Sequence, residues 1–235
     1  MLISPKIKII CTVCLITTFP IYSLLYAQQL TIVKKTKIYR QKLEADSSQT
    51  MVELKSLIPE LVYDLRYATK KNFTHEQLYK TGKATFLRIN PAQTLVIVQA
   101  ELNSKGYGLK IFDAYRPYHI TQKMWELVHD ERYVANPAKG SGHNRGLAVD
   151  LTVIDLRTGV ELNMGTGFDN FTDTAHHSFK NLPDSILQNR MLLKETMVRQ
   201  GFNSLETEWW HYSWPNNRKY DVLDIDFKKL RRIGD

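Results

Sequence analysis

Two separated segments carry residue types that could bind a metal ion. The segment SGHNRGLAVD, residues 141–150, contains His143 and Asp150, and His211 closes the run Glu-Trp-Trp-His at residues 208–211. Two imidazoles and one carboxylate, with a fourth position left for water, form a catalytic zinc set rather than a closed structural one. A metal ion would also compensate the cost of burying a histidine and an aspartate. By spacing alone, each histidine could instead be an ordinary core or surface residue, and Asp150 could cap a turn.

Two further residues have the chemistry for catalysis beside such a metal. Glu208 could take a proton from metal-bound water, whose pKa the metal lowers to about 7. Because positions three apart on a regular strand face opposite sides, Glu208 and His211 can serve one site only if Glu208 lies in a turn or bulge just before the strand. Arg116, within the Tyr-Arg-Pro segment, could stabilise the oxyanion of a tetrahedral intermediate, or could form a structural ion pair with Asp113.

The spacing of apolar residues indicates the elements that must position these groups. Apolar residues alternate along strand-type segments and recur at spacings of three and four in helix-type segments. We predict strands over 109–114, 146–155, 160–163 and 209–214, helices over 90–106, 120–127 and 187–198, and a loop over 164–181. Strands joined by a short turn, with helices between the others, predict an α+β fold in which helices flank an antiparallel sheet.

The first 27 residues have the composition of a secretory signal peptide. Lys6 and Lys8 precede an uncharged run over 9–26, and Ala27 is a small residue of the kind found before a cleavage site. We therefore expect export, to the periplasm or the medium, with an uncleaved membrane anchor as the alternative. Both cysteines, Cys11 and Cys14, lie in this segment, so the mature chain would have no disulfide and no thiolate metal ligand.

The remaining chain is predicted to form a linker over 28–50 and one domain over 51–235. Five basic residues crowd the first segment, which is typical of a solvated spacer: Lys34, Lys35, Lys37, Arg40 and Lys42. The formal net charge is +8, and beyond this spacer the balance is only mildly basic. We therefore expect no nucleic acid partner and, once the signal peptide is removed, no stable membrane span.

Taken together, the metal-binding segments resemble those of a known enzyme family. The zinc D-alanyl-D-alanine dipeptidases of the VanX type carry motifs similar to Ser141-x-His143-x-x-Gly146-x-Ala148-x-Asp150 and Glu208-x-Trp210-His211 of this chain. The resemblance covers about residues 51–215 and implies the zinc fold that these enzymes share with D,D-carboxypeptidases and Hedgehog signalling domains. It implies one zinc ion per chain, bound by His143, Asp150 and His211, with Glu208 as general base and Arg116 as transition-state stabiliser.

The same resemblance implies roles in substrate binding for three residues. Ser141 corresponds to a substrate contact, Asp169 to the acid that binds the free ammonium, and Tyr67 to an aromatic that helps wall a small pocket. Asp169 could instead cap its loop. His75 departs from the family, in which glycine often follows Asn-Phe-Thr at the pocket entrance. The implied reaction is hydrolysis of the D-Ala-D-Ala dipeptide to D-alanine. The alternatives are a D,D-carboxypeptidase acting on larger wall peptides and a zinc-bearing binding module without catalysis.

Overall fold

The structure is a computed structural model that describes residues 30–234, so the predicted signal peptide lies outside the described residues. Within this range the strands are β1 (Ile32–Val33), β2 (Met51–Glu53), β3 (Val62–Tyr63), β4 (Phe86–Arg88), β5 (Tyr107–Asp113), β6 (Ala148–Asp155), β7 (Asn203–Leu205), β8 (Glu208–Ser213) and β9 (Val222–Leu223). The α-helices are α1 (Thr36–Ala45), α2 (Leu54–Leu57), α3 (Ile89–Asn103), α4 (Tyr118–Leu127), α5 (Gly142–Arg145), α6 (Asp184–Arg199) and α7 (Phe227–Gly234).

A five-stranded sheet with the order β3-β5-β6-β8-β7 organises the domain. Its neighbours pair antiparallel except β3 and β5, which run parallel. Two smaller pairs complete the strands, β2 antiparallel to β4 and β1 parallel to β9. The sheet is mostly antiparallel and helices pack on it, so the predicted α+β class is confirmed.

The main core lies where α3 and α6 pack against the sheet. Leu95, Val98 and Leu102 on α3 are fully buried, and their spacings of three and four are those that predicted this helix. Leu193 and Met197 of α6 belong to the same core. The apolar faces of α3 and α6 thus cover one side of the sheet. Polar side chains of β5, β6 and β8 lie outside this core.

The strand β6 begins two residues later than predicted, because a short helix precedes it. This helix, α5, ends at Gly146, whose φ of +68° lies in the left-handed region that favours glycine. A Cβ at Gly146 would lie 2.5 Å from Met51 Sδ, so a larger residue could not be accommodated without rearrangement. The strand predicted over 160–163 is reduced to a single bridge between Ile154 and Glu161.

The segment over 28–50 is not the linker that its basic residues suggested. Residues 36–45 form α1, in which Tyr39 is buried against the domain. The Tyr39 hydroxyl donates a hydrogen bond to Gln49 O and accepts one from Met51 N, both at 2.8 Å. Four of the five basic residues stay exposed on the outer side of this segment, which explains why the pattern resembled a spacer.

None of the helices in the described range is both long enough and apolar enough to cross a membrane.

Candidate active site

The predicted metal ligands come together at the junction of α5, β6 and β8. Asp150 on β6 is paired directly with His211 on β8, and His143 comes from α5 just before β6. His211 Nδ1 lies 2.9 Å from Asp150 Oδ1 and 3.2 Å from His143 Nε2. His143 Nε2 lies 3.4 Å from Asp150 Oδ2. Within the described chain, this is the group of His and acidic side chains whose ligand atoms converge closely enough for a metal ion.

The donor set fits a tetrahedral metal ion. Ligand bonds of about 2.0–2.2 Å in a tetrahedral zinc site place neighbouring ligand atoms about 3.3–3.6 Å apart. The closest approaches among the three side chains, which involve both Asp150 oxygens, are 2.9, 3.2 and 3.4 Å, so these side chains lie at or slightly inside that spacing. His143 Nδ1 lies 2.7 Å from Ala114 O, a contact that places the ring proton on Nδ1 and leaves the Nε2 lone pair facing the group. Burial alone would raise the pKa of Asp150, but His143 and His211 hold it below its usual range.

Arg116 lies beside the ligands and is held by a buried aspartate. Its Nη2 and Nε atoms lie 2.8 and 3.0 Å from Asp113 Oδ2, so the ion pair anticipated as an alternative role is present. The same Nη2 is 3.8 Å from Asp150 Oδ2, which places the guanidinium at the metal group as well. Tyr79 donates its hydroxyl to the other Asp113 oxygen at 2.8 Å. Asp113 is thus fully paired and fixes the orientation of Arg116.

Glu208 reaches the same group through an irregularity in β8. Ser204 on β7 is opposite Tyr212, but the next residue, Leu205, is opposite Glu208, so the two strands change register between these pairs. The spacing had predicted an irregularity just before the strand. The register change instead lies within β8. Glu208 Oε2 consequently lies 3.8 Å from His211 Nδ1. Burial raises the pKa of the Glu208 carboxyl well above its usual range, and the neighbouring carboxylates add to this effect.

Tyr67 and Asp169 are hydrogen-bonded neighbours in the lining of the same cavity. The Tyr67 hydroxyl donates to Asp169 Oδ1 at 3.0 Å, whereas Asp169 Oδ2 is buried and has no hydrogen-bond partner among the described residues. Burial raises the pKa of Asp169 to about 8, and the Asp150 carboxylate contributes. The Tyr67 ring also lies under the guanidinium of Arg116, with the Arg116 Cζ atom 5.1 Å from the ring centroid. An unpaired carboxyl oxygen in a buried wall is suited to receive a cationic group.

Ser141 caps the helix that carries His143. Its hydroxyl accepts the His143 backbone N–H at 3.1 Å, and the Asn144 side chain accepts the Ser141 N–H at 2.9 Å. The Asn144 amide also donates to Arg116 O and Thr121 Oγ1, both at 2.8 Å. Sequence reasoning missed Asn144, although it lies inside the SGHNRG segment. It joins the turn that carries the ligand to the segment that carries Arg116.

All eight residues predicted for the site line one cavity of about 440 Å³. They are Tyr67, Arg116, Ser141, His143, Asp150, Asp169, Glu208 and His211. A larger cavity of about 680 Å³ lies along α6 and contains none of them. His75, expected at the entrance, does not line the site cavity; its φ is +56°, the conformation that glycine would adopt without strain.

Comparisons with known proteins show to which family this chain is similar. The family model described as D-ala-D-ala dipeptidase matches residues 47–229. A D-alanyl-D-alanine dipeptidase of Escherichia coli K12 is 32% identical over 177 residues, which cover 75% of this chain and 91% of that protein. One from Enterococcus faecalis is 31% identical and covers 64% of this chain and 84% of that protein. A solved structure of a VanY D,D-pentapeptidase variant with Zn(II) aligns over 57% of this chain and 75% of that chain, at 16% identity and a TM-score of 0.34, too low to bear on function.

The family match and the converging ligand group together define a zinc metallopeptidase. More specifically, the chain belongs to the D-ala-D-ala dipeptidase family.

Proposed function

We propose that this chain hydrolyses the D-Ala-D-Ala dipeptide to two molecules of D-alanine, using one zinc ion held by His143, Asp150 and His211. The observation that supports this most strongly is the composition of the site cavity. Its lining combines the ligand group, Glu208 and Arg116 with Asp169, which has an unpaired buried oxygen. A small zwitterionic substrate fits such a cavity, because its ammonium can pair with a group of opposite charge and its carboxylate can accept a hydrogen bond from a polar group.

Glu208 acts as general base and then as general acid. When bound, zinc lowers the pKa of a water ligand and polarises the peptide carbonyl. Glu208 takes a proton from the attacking water as its oxygen forms a bond to the carbonyl carbon, and returns it to the amine of the leaving D-alanine as the C–N bond breaks. General base catalysis of this kind contributes about 10²–10⁴-fold.

Arg116 stabilises the negative charge that develops on the carbonyl oxygen. The ion pair with Asp113 and the ring of Tyr67 hold its guanidinium next to the ligand group before substrate arrives. A charge that is already oriented in a buried site stabilises the transition state without reorganisation, and loss of one such donor costs about 10²–10³-fold.

Asp169 and Ser141 bind the two ends of the dipeptide. The substrate ammonium pairs with Asp169 Oδ2, while Tyr67 keeps the other oxygen occupied. A nearby ammonium favours the ionised carboxylate, so substrate binding lowers the raised pKa of Asp169. The Ser141 hydroxyl, which accepts from His143 N, still has its proton available for the substrate carboxylate. A peptide with a blocked amino group would leave Asp169 unpaired and bind poorly.

The direct test is a substrate panel with zinc-loaded protein. Free and N-acetylated D,D and L,L dipeptides are compared by release of alanine. We expect free D-Ala-D-Ala to be the preferred substrate. Equal or better cleavage of the N-acetylated D,D peptide would instead indicate a carboxypeptidase that acts on larger wall peptides, and zinc binding without any hydrolysis would indicate a binding module.

We also propose that the enzyme works outside the cytosol, on dipeptides released from the cell wall. The proposal rests on the signal-type composition of residues 1–27. Cell fractionation with N-terminal sequencing tests it. A mature protein beginning near Gln28 in the periplasmic or secreted fraction supports export. Full-length protein in the cytosol, together with a depleted D-Ala-D-Ala pool, would contradict it.

A further inference from the structure

Arg190, far from the ligand group in sequence, holds both ends of the loop that carries Asp169. Arg190 lies on α6 and is only 5% exposed. Its Nε donates to Met164 O at 2.7 Å, its Nη2 to Thr174 O at 2.8 Å and its Nη1 to His176 O at 3.1 Å. The three carbonyls bracket the segment 164–176, which we call the Asp169 loop. Within the described chain, no carboxylate forms an ion pair with Arg190, so its hydrogen bonds go to this backbone.

The chemistry of these contacts requires arginine. A planar guanidinium carries five N–H donors in a fixed fork and can serve three carbonyls at once. A lysine would keep the charge and most of the stem, but its single nitrogen could not reach acceptors on both ends of the loop. Loss of the fork would leave Met164 O and Thr174 O without the donor that Arg190 supplies, which favours rearrangement of the loop, whereas His176 O would keep the Phe179 N–H at 3.2 Å.

The backbone between the two ends needs such support. Asp169 has a φ of +60°, a conformation that aspartate and asparagine tolerate better than most residues with a Cβ but that is sparsely populated, so that surrounding contacts help to maintain it. Two further contacts hold the middle of the loop: Thr166 Oγ1 accepts from Trp209 Nε1 at 2.8 Å, and Phe168 stacks on Phe112 with ring centroids 4.9 Å apart. Arg190 secures the two ends, and it does not line the site cavity.

We propose that Arg190 is a positioning residue for substrate selectivity, which holds the Asp169 loop so that Asp169 meets the substrate ammonium. The inference rests on the proposed function, because it needs Asp169 to bind that ammonium. Arg190 touches neither the substrate nor the metal group. Its effect should therefore appear in the binding of peptides with a free amino group and leave the chemistry at Glu208 unchanged.

The test compares Arg190→Lys with a matched control, Arg199→Lys. Arg199 lies on the same helix and pairs with Glu101 on the surface, away from the Asp169 loop. For Arg190→Lys we expect the KM of free D-Ala-D-Ala to rise about tenfold, a loss near that of one charge-assisted hydrogen bond, while kcat and zinc content stay within about twofold of the parent. For the N-acetylated peptide, KM, or Ki if it is not cut, should not change. Arg199→Lys should match the parent on both peptides.

A double-mutant cycle separates positioning from general structural support. If Arg190 acts through Asp169, combining Arg190→Lys with Asp169→Asn should raise the KM of the free dipeptide no further than Asp169→Asn alone. Three outcomes would each overturn the proposal. The first is that the KM increases of the two single variants add in the double variant, and the second is that Arg190→Lys weakens both peptides equally. The third is that Arg190→Lys fails to fold under conditions where Arg199→Lys folds. An inactive parent would refute the proposed function instead. In that case, amide hydrogen exchange tests the claim that Arg190 holds the loop. The claim requires residues 164–176 to exchange faster in Arg190→Lys than in the parent, with no such change in Arg199→Lys.

Discussion

Asp150 and His211 occupy directly opposed positions on β6 and β8, with Asp150 Oδ1 2.9 Å from His211 Nδ1. Because opposed residues on neighbouring strands share a face of the sheet, the pairing aims both ligand atoms at one point. A third ligand atom, His143 Nε2, completes the group from the short helix before β6. The sheet register therefore sets the geometry of the candidate metal centre.

The first prediction concerns the metal ligands. His143→Ala or His211→Ala should lose zinc and activity together, because three protein ligands leave no redundancy. Metal analysis of the purified variants by mass spectrometry measures this. His119→Ala is the matched control, since His119 is exposed and pairs with Asp224 away from the site; it should retain zinc. Full zinc occupancy in either ligand variant would remove that residue from the set.

The second prediction concerns selectivity. Asp169→Asn should raise the KM of free D-Ala-D-Ala by about 10- to 100-fold, because an amide cannot pair with an ammonium as a carboxylate does. Asparagine tolerates a positive φ, so the backbone at this position, with φ +60°, should be preserved. Steady-state kinetics on free and N-acetylated dipeptides provide the measurement. If both peptides lost affinity equally, Asp169 would shape the loop rather than bind substrate.

The third prediction concerns His75, which has a φ of +56°. His75→Gly should leave the free energy of unfolding unchanged or raise it by up to about 1 kcal/mol, because glycine adopts this conformation without strain. His75→Val should lower it by about 1–2 kcal/mol, since a β-branched residue fits this region poorly. Urea denaturation measures both changes. Glu76→Gly is the control, and it should destabilise because Glu76 is not among the residues of positive φ. A destabilised His75→Gly would show that the histidine side chain contributes contacts of its own.

These predictions also show how far the sequence alone reaches. Residue type and spacing made His143, Asp150 and His211 candidate ligands, and the family resemblance selected them as one set, which the structure brings together. Apolar periodicity was enough for α3, α6 and the main strands. Such patterns describe local preferences and the faces that become buried.

Features that depend on contacts between distant segments could not be predicted. The register change that brings Glu208 to the ligands depends on how β7 meets β8, and no local pattern specifies it. The role of Arg190 depends on three carbonyls that are at least 14 residues away. The helix α1 was missed because its basic outer face concealed a single buried anchor, Tyr39.

The fourth prediction concerns the pH dependence of stability and His177. Burial lowers the pKa of His177 from 6.5 to about 4. The positive charges of Lys194, Arg190 and Lys180 contribute to this lowering of the pKa, and Glu206 opposes the shift. Between these two values the unfolded chain binds a proton that the folded chain does not, so stability rises with pH and is lost as pH falls from about 6.5 towards 4. Unfolding free energies at pH 7 and pH 5 should therefore differ more in the parent than in His177→Gln. Identical differences in the two proteins would show that His177 titrates normally.

The central claim, hydrolysis of D-Ala-D-Ala with Glu208 as the base beside a protein-bound zinc ion, is tested most directly by one comparison. Turnover of D-Ala-D-Ala is measured for the zinc-loaded parent and for Glu208→Gln, with zinc content determined on the same samples. Glu206→Gln, a substitution of the same type two residues earlier, serves as the matched control and should retain parental turnover. The account predicts a full zinc complement in Glu208→Gln and a fall in kcat of about 10²–10⁴-fold. A fall of less than about tenfold with zinc retained, or no hydrolysis of D-Ala-D-Ala by the parent, would contradict it.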